Sequence, residues 1–415
     1  MLDPHYLDAF FPRLAGFPEN LPAWCVTHNL SRCIHRFHHT SPLSPSGRFL
    51  ALTRLPREDK RIFRGQKAGI ILIDLQKGTA SQVAKTLAWD TQLGAQVQWG
   101  RSDHELLYNI LGFSLPPKVR CRVHNPMTDQ SHDLDGPLYD AHPEPDLVAS
   151  CCLLRIGRTQ PGYGVLIPSW LQPKNLGALE NDGIYLTNLD SGKCHLLTSW
   201  ARIIETCGLT DWAHSSTGIY GFHVQWNHQG SCLLLVLRRL IGHRKREPIL
   251  LVVDAASGDP TILVGPGRWQ GNHPCWMPDG ENIIMNLDVD GRGLKFVKIN
   301  ASGAGITVLS HHAATRGHPS LHPNGEFIVT DDYAKNDPQG TAPLILLNLK
   351  KQKMMQIGRI DAQTKYIPRK KSGNPMRVDL HPSWSTNGQW LTFNAVRNGS
   401  RSVNMVYTGD IGASL

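Results

Sequence analysis

An all-β fold, a single seven-bladed β-propeller, is what this 415-residue sequence predicts, and three observations predict it. A phrase of histidine, proline, aromatic or leucine, glycine turn and apolar strand recurs along the chain. Short β-rich runs fill the spaces between its copies, and no stretch sustains a 3.6-residue apolar period. One closed ring of blades uses this length without leaving a free sheet edge.

The phrase is fullest in "LHPSWSTNGQWLTF" from Leu380, "NHPCWMPDGENIIM" from Asn272 and "GHPSLHPNGEFIVT" from Gly317. Aligned on the turn before each apolar strand, it also appears as "HHTSPLSPSGRFLALTR" from His38 and "GAQVQWGRSDHELLYN" from Gly94. Two more copies are "PLYDAHPEPDLVAS" from Pro137 and "FHVQWNHQGSCLLLVLR" from Phe222. The position three before the aromatic or leucine gives seven anchors: Thr40, Gln96, Leu138, His223, His273, His318 and His381. Their spacings of 56, 42, 85, 50, 45 and 63 residues mostly suit a four-stranded blade of roughly 40 to 50 residues plus loops. The longest holds an insertion containing "LLRIGRTQPGYGVLIPSW". Between anchors, runs such as "GIILIDLQKGTA" and "PILLVVDAASGDPTILV" have the composition of hairpins. A weak helical period shows only near residues 5–15 and 197–207. Residues 1–36 are expected to lead over the surface and 37–415 to form the propeller, with a long insertion within 139–222.

Forty-three Lys and Arg against 34 Asp and Glu leave a net charge of +9, and 20 histidines add to it as pH falls. An acidic ligand is consistent with that balance, and so is a merely basic surface, because the excess is scattered. The N-terminal "MLDPHYLDAFFPRLAGFPEN" lacks a basic segment followed by a long apolar run. Nine cysteines without a C-x-x-C spacing, Cys151 and Cys152 being adjacent, suit reduced thiols. A cytoplasmic protein that binds neither membrane nor nucleic acid is expected, its oligomeric state open.

The anchors carry the chemistry. Histidine and tryptophan three apart in a strand point to opposite faces, so an aromatic wedged between blades leaves the histidine pointing away. Pro274, Pro319 and Pro382 follow three of the histidines and cannot donate to a ladder, which suits the edge strand lining a propeller's channel. Equivalent histidines of four successive blades are then expected to converge on one funnel, although each alone serves equally well as a hydrogen-bonding residue between blades.

At these residues the chain resembles known propellers. The "HPSWSTNG" phrase is similar to TolB-like repeats over about residues 38–410. "SPLSPSGRFLALTR", "GAQVQWG" and "RTQPGYG" together resemble the propeller polysaccharide lyases, the oligogalacturonate and ulvan lyase group. That resemblance implies cleavage of a uronic-acid glycan by β-elimination, with a metal held by funnel histidines in the oligogalacturonate branch; histidine nitrogen with a Gln or Asp oxygen suits a divalent ion such as manganese or zinc. Carried onto this sequence, His273, His318 and His381 match the metal-facing positions, with Gln225 one blade earlier. A compact Gln-x-x-His-x-His ligand cluster is absent.

β-Elimination needs relief of the carboxylate charge, a base for the proton α to it and an acid for the leaving oxygen. His223 is the candidate base, since neutral imidazole works near pH 7. Tyr163 is the candidate acid, or base if ionised beside Arg158. Arg238 and Arg377 suit a carboxylate partner through a bidentate fork. The remaining candidates to bind an anionic oligosaccharide are Gln98, His39 and Arg155. The basic runs at 238–247 and 365–377 would steer an anionic chain if they overhang the funnel.

No G-x-S-x-G elbow is present, which disfavours a propeller peptidase, and no G-x-x-x-x-G-K-[ST] or strand-linked G-x-G-x-x-G cradles a phosphate. The rival to the lyase is a non-catalytic TolB-like propeller that binds a protein or an anionic glycan on its funnel face.

Overall fold

In five of the seven copies of the phrase a glycine supplies the left-handed turn that reverses the chain, as at Gly280, Gly325 and Gly388 with φ of 65°, 76° and 71°. The strand that follows is apolar on both faces because blades pack against it from both sides. Leu233 through Leu237, for example, have no exposed surface. The outermost strand of blade 2, Gln130–Asp133, faces water and is polar, with all four residues exposed. These local choices build a ring. The computed structural model describes residues 2–58, 65–142, 144, 146–173, 177–242, 245–334, 337–364, 374–409 and 411, and they form seven four-stranded antiparallel sheets.

Numbered in chain order, blade 1 is Cys33–Ile34, Phe49–Arg54, Ala68–Asp74 and Thr79–Thr86, and blade 2 is Gln98–Trp99, Leu106–Gly112, Lys118–Asn125 and Gln130–Asp133. Blade 3 is Asp140–His142, Leu147–Ser150, Gly183–Asn188 and Cys194–Ser199, and blade 4 is Gly218–Trp226, Cys232–Ile241, Lys245–Asp254 and Pro260–Val264. Blade 5 is Gly271–Trp276, Asn282–Leu287, Lys295–Asn300 and Ile306–Ala313, and blade 6 is Ser320–Leu321, Phe327–Asp331, Thr341–Asn348 and Lys353–Asp361. Blade 7 is Ser383–Trp384, Trp390–Arg397 and Ser400–Tyr407, completed by Ala23–Cys25 as its outermost strand. The N-terminus therefore closes the ring. Residues 1–36, expected to lead over the surface, instead supply this strand and the first strand of blade 1.

Neighbouring blades are stapled near the axis by two kinds of side chain, and the joint between blades 6 and 7 has both. The indole Nε1 of Trp99, Trp276 and Trp384 donates to Pro42, Gln225 and Ser320 carbonyls of the preceding blade, at 3.0, 2.9 and 3.1 Å. A polar residue on the second strand reaches forward. Asn109 binds both backbone groups of Leu138, Asn286 donates to the Gly317 carbonyl at 2.8 Å, and Asp331 accepts from Leu380 N–H at 3.2 Å. Asn394 joins blade 7 to blade 1 by accepting from His35 N–H at 2.9 Å. These bonds satisfy inner-strand groups that have no ladder partner on the channel side.

The stretch between the second and third strands of blade 3 carries the insertion, with helix α1 at Leu153–Thr159. Its apolar spacing is too short to show as a helical period. The weak period near 197–207 corresponds to helix α2, Trp200–Thr206. All nine cysteines are free thiols, and among the described residues no helix is long and apolar enough to cross a membrane.

Candidate metal and funnel site

The inner strands do not hold plain alternation at their anchors. Gln96, His273 and His381 have φ of 59°, 53° and 48°, a left-handed conformation costly for residues with a Cβ. Blade 5 slips register between Asn272 and Cys275 at the same place. The kink, rather than strand alternation, turns these side chains towards the axis. His273 and His318 ring centroids lie 3.9 Å apart, and His318 and His381 lie 4.4 Å apart.

The hydrogen bonds of this trio set its tautomers. His318 Nδ1 lies 2.9 Å from Asp331 Oδ1, and since the carboxylate accepts, Nδ1 carries the proton and Nε2 keeps its lone pair. His273 Nδ1 donates likewise to the Gly317 carbonyl at 2.8 Å. Nε2 of His318 and both ring nitrogens of His381 are buried without a hydrogen-bond partner. Burial holds the His318 imidazole down to about 4, and burial followed by neighbouring His318 keeps His381 well below its usual range. Neutral imidazoles with uncommitted lone pairs are the form a cation needs.

Asp379 completes the set. Its ligand oxygen and the nitrogens of His318 and His381 all lie within 4.8 Å of one another. Atoms bonded to one ion at roughly 2.0–2.2 Å stand no more than about 4.4 Å apart, so a few tenths of an ångström would close the set. Two imidazoles and a carboxylate, buried with orphaned nitrogens, fit a first-row divalent ion. Sequence reasoning missed Asp379, although it stands two residues before His381.

His223 lies elsewhere. Phe37 occupies the axis, stacked on His223 at 5.1 Å and edge-on to His381 at 4.7 Å and His318 at 5.6 Å. The expected convergence of four histidines is thus a trio and a separate residue, with a phenyl ring between them. His223 Nδ1 is bonded to the Tyr139 hydroxyl, and burial, then the nearby Arg238 cation, keep its imidazole well below the usual range. Phe37 and the buried His38 belong to "HRFHH", a histidine-dense run at the first blade that precedes the Thr40 anchor.

Tyr163 is 6% exposed, edge-on to Phe222 at 4.9 Å. Its hydroxyl accepts from Arg377 Nη2 at 2.9 Å. Arg158, expected beside it, lies instead on the exposed face of α1 and donates to the Pro173 carbonyl. Arg238 covers the Phe222 ring at 3.8 Å and donates to Gln160 at 3.0 Å. Four further candidates are placed in the scaffold. Arg155 Nε pairs with buried Asp182 at 2.7 Å. Gln98 donates to the Tyr139 carbonyl at 2.9 Å, and Gln225 donates to the Pro274 carbonyl at 3.3 Å, one blade from the trio. His39 lies 3.7 Å from Asp140 beside Arg36. Of the basic run at 365–377, residues 365–373 lie outside the described ones.

No protein-family model and no curated protein matches the chain. Among solved structures, an oligogalacturonate lyase in complex with manganese superposes with a TM-score of 0.63 at 13% identity, over 97% of this chain and 96% of that one. An oligogalacturonate lyase from Vibrio parahaemolyticus gives 0.64 at 12%, over 97% of both chains. The chain shares its fold with these two lyases. At such identity the likeness is one of fold. TolB from Acinetobacter baumannii superposes less well, at 0.41 and 12% identity over 84% of this chain and 77% of that one.

Proposed function

We propose that this propeller is a lyase that cleaves an anionic, uronate-containing oligosaccharide by β-elimination at its axis. The observation that carries the reading is the buried set of His318, His381 and Asp379 with orphaned imidazole nitrogens, in a fold shared with a lyase solved with manganese. A divalent ion bound there would withdraw charge from the substrate carboxylate and acidify the α-proton.

The chain's own groups supply the proton transfers. In the tautomer whose Nδ1–H donates to the Tyr139 hydroxyl, His223 presents its Nε2 lone pair, and burial keeps the imidazole neutral at neutral pH. It takes the α-proton as the Cα–H electrons form the new double bond and the bond to the leaving oxygen breaks. Tyr163, whose phenol burial holds protonated, returns a proton to that oxygen. Arg238, beside Tyr163 and His223, offers its guanidinium to the carboxylate.

The conjugated product absorbs in the ultraviolet, which no hydrolysis product does. Incubation with pectic, ulvan-like, glucuronan and glycosaminoglycan oligomers should raise that absorbance for one class, and chelator should abolish it. His223→Ala should remove turnover with the fold intact, whereas His381→Ala should recover in part with excess metal. Absence of signal on every uronate, with a protein that binds no divalent ion, rejects the lyase in favour of a binding propeller.

A further inference from the structure

Arg377 was a candidate to pair with a substrate carboxylate, but its side chain is already committed within the protein. Nε lies 2.8 Å from Asp379 Oδ2, and Nη2 donates to the Tyr163 hydroxyl at 2.9 Å. These two N–H groups form the side edge of the fork, one of the two that can hold a bidentate carboxylate, and it is shared between two protein partners. The backbone is held as well. The Arg377 carbonyl accepts from Gln92 Nε2 at 3.0 Å and from Arg401 Nη2 at 3.1 Å. Arg401 is itself fixed by a buried pair with Glu58 at 3.0 Å. The guanidinium therefore cannot swing towards a ligand without breaking both contacts of its fork, while the carbonyl bonds fix the backbone from which it projects.

What it touches lies on two sides of one reaction. Asp379 belongs to the metal set and Tyr163 comes from the insertion of blade 3, so Arg377 is the described link between them. A carboxylate has about four lone-pair sites on two oxygens, so Asp379 can keep the arginine and still offer a lone pair to an ion. We propose that Arg377 is a positioning residue, aiming the Asp379 carboxylate at the metal and holding the Tyr163 phenol next to it, and is not a substrate contact. This rests on the lyase reading for its kinetic consequence, but its metal consequence stands without any sugar.

The test uses cobalt(II) alone as probe on the full chain. Wild-type protein should bind one ion with a defined visible spectrum. Arg377→Gln should weaken cobalt binding about 10- to 100-fold and shift the bands, the usual effect of losing a partner of a ligating carboxylate. Arg377→Lys keeps the charge but serves one partner at a time, so its loss should be intermediate. Tyr163→Phe, which spares the Asp379 contact, should keep wild-type affinity and spectrum. On the uronate identified by absorbance, Arg377→Lys should lower kcat while KM stays near wild type. A substrate-pairing arginine would do the reverse.

Wild-type cobalt affinity in Arg377→Lys, or a raised KM with kcat retained, overturns the proposal. If Arg377→Gln fails to fold by its melting curve, the lysine variant decides. A wild-type protein that binds no cobalt rejects the metal reading and this one together, whereas cobalt binding indifferent to residue 377 rejects this one alone.

Discussion

Asp90 shows how much a single buried residue can do for the site without touching it. It is 3% exposed, and its carboxyl accepts from Gln92 N–H, Leu93 N–H and, across the ring, Gly164 N–H at 2.8 Å. Burial nevertheless pushes the carboxyl up to about 7. A folded value above the unfolded one, near 4, means the native state holds the proton more tightly. Stability from this group is then complete below about pH 4 and is lost as pH rises to about 7. The melting temperature of wild type minus that of Asp90→Asn should therefore fall between pH 4.5 and 7.5. Parallel curves for the two proteins would place Asp90 among ordinary charged carboxylates. Nothing in "WDTQLGAQ" announces this, because one of the donors, the Gly164 N–H, comes from a turn 74 residues away. Asp331 and Tyr139 escaped notice for the same reason. Each becomes a site residue only when one blade's second strand, or the approach to its first, meets the next blade. The histidines were legible because the repeat itself places them.

At the scale of elements, most of the blades were legible because a glycine turn after the inner strand leads into an apolar run. The closing strand was not, since Ala23–Cys25 has three residues, all buried, and no period to detect. Its importance comes from what it covers. Trp24 has no exposed surface, donates Nε1 to Asp8 at 2.9 Å and packs against Trp390 at 6.0 Å. Trp24→Ala should cost about 3–5 kcal/mol, the range for truncating a large buried aromatic, measured by urea unfolding. Removing residues 1–25 should do more, because it bares the edge of Ser400–Tyr407 at Asn404, Met405 and Val406, which Ala23–Cys25 pairs. That edge is a template for pairing between chains, so the truncated protein should aggregate on size exclusion where wild type does not. A monodisperse truncated protein with an unchanged melting curve would show that blade 7 is stable with three strands.

For the molecule as a whole, the decisive feature is how the axis is covered. His318, His381, His223 and Tyr163 are 0%, 1%, 4% and 6% exposed. Above them, loops from separate parts of the ring are tied together. Gln92, between blades 1 and 2, donates to the Pro375 carbonyl at 2.9 Å before blade 7, and Gly164 of the blade 3 insertion donates to Asp90. Thr91 adds a bond from its hydroxyl to Pro375. A polymer lying across such a face would have to break several of these bonds at once, each worth about 1 kcal/mol net. A chain end needs only one opening. The lyase reading therefore predicts preference for short substrates, with kcat/KM falling as degree of polymerisation rises from dimer upward. Followed by viscosity and ultraviolet absorbance together, a polymer should gain absorbance long before it loses viscosity, since cuts at ends barely shorten it. An early collapse of viscosity would mean cleavage in mid-chain, and the tied loops would then have to part as a unit to admit the polymer.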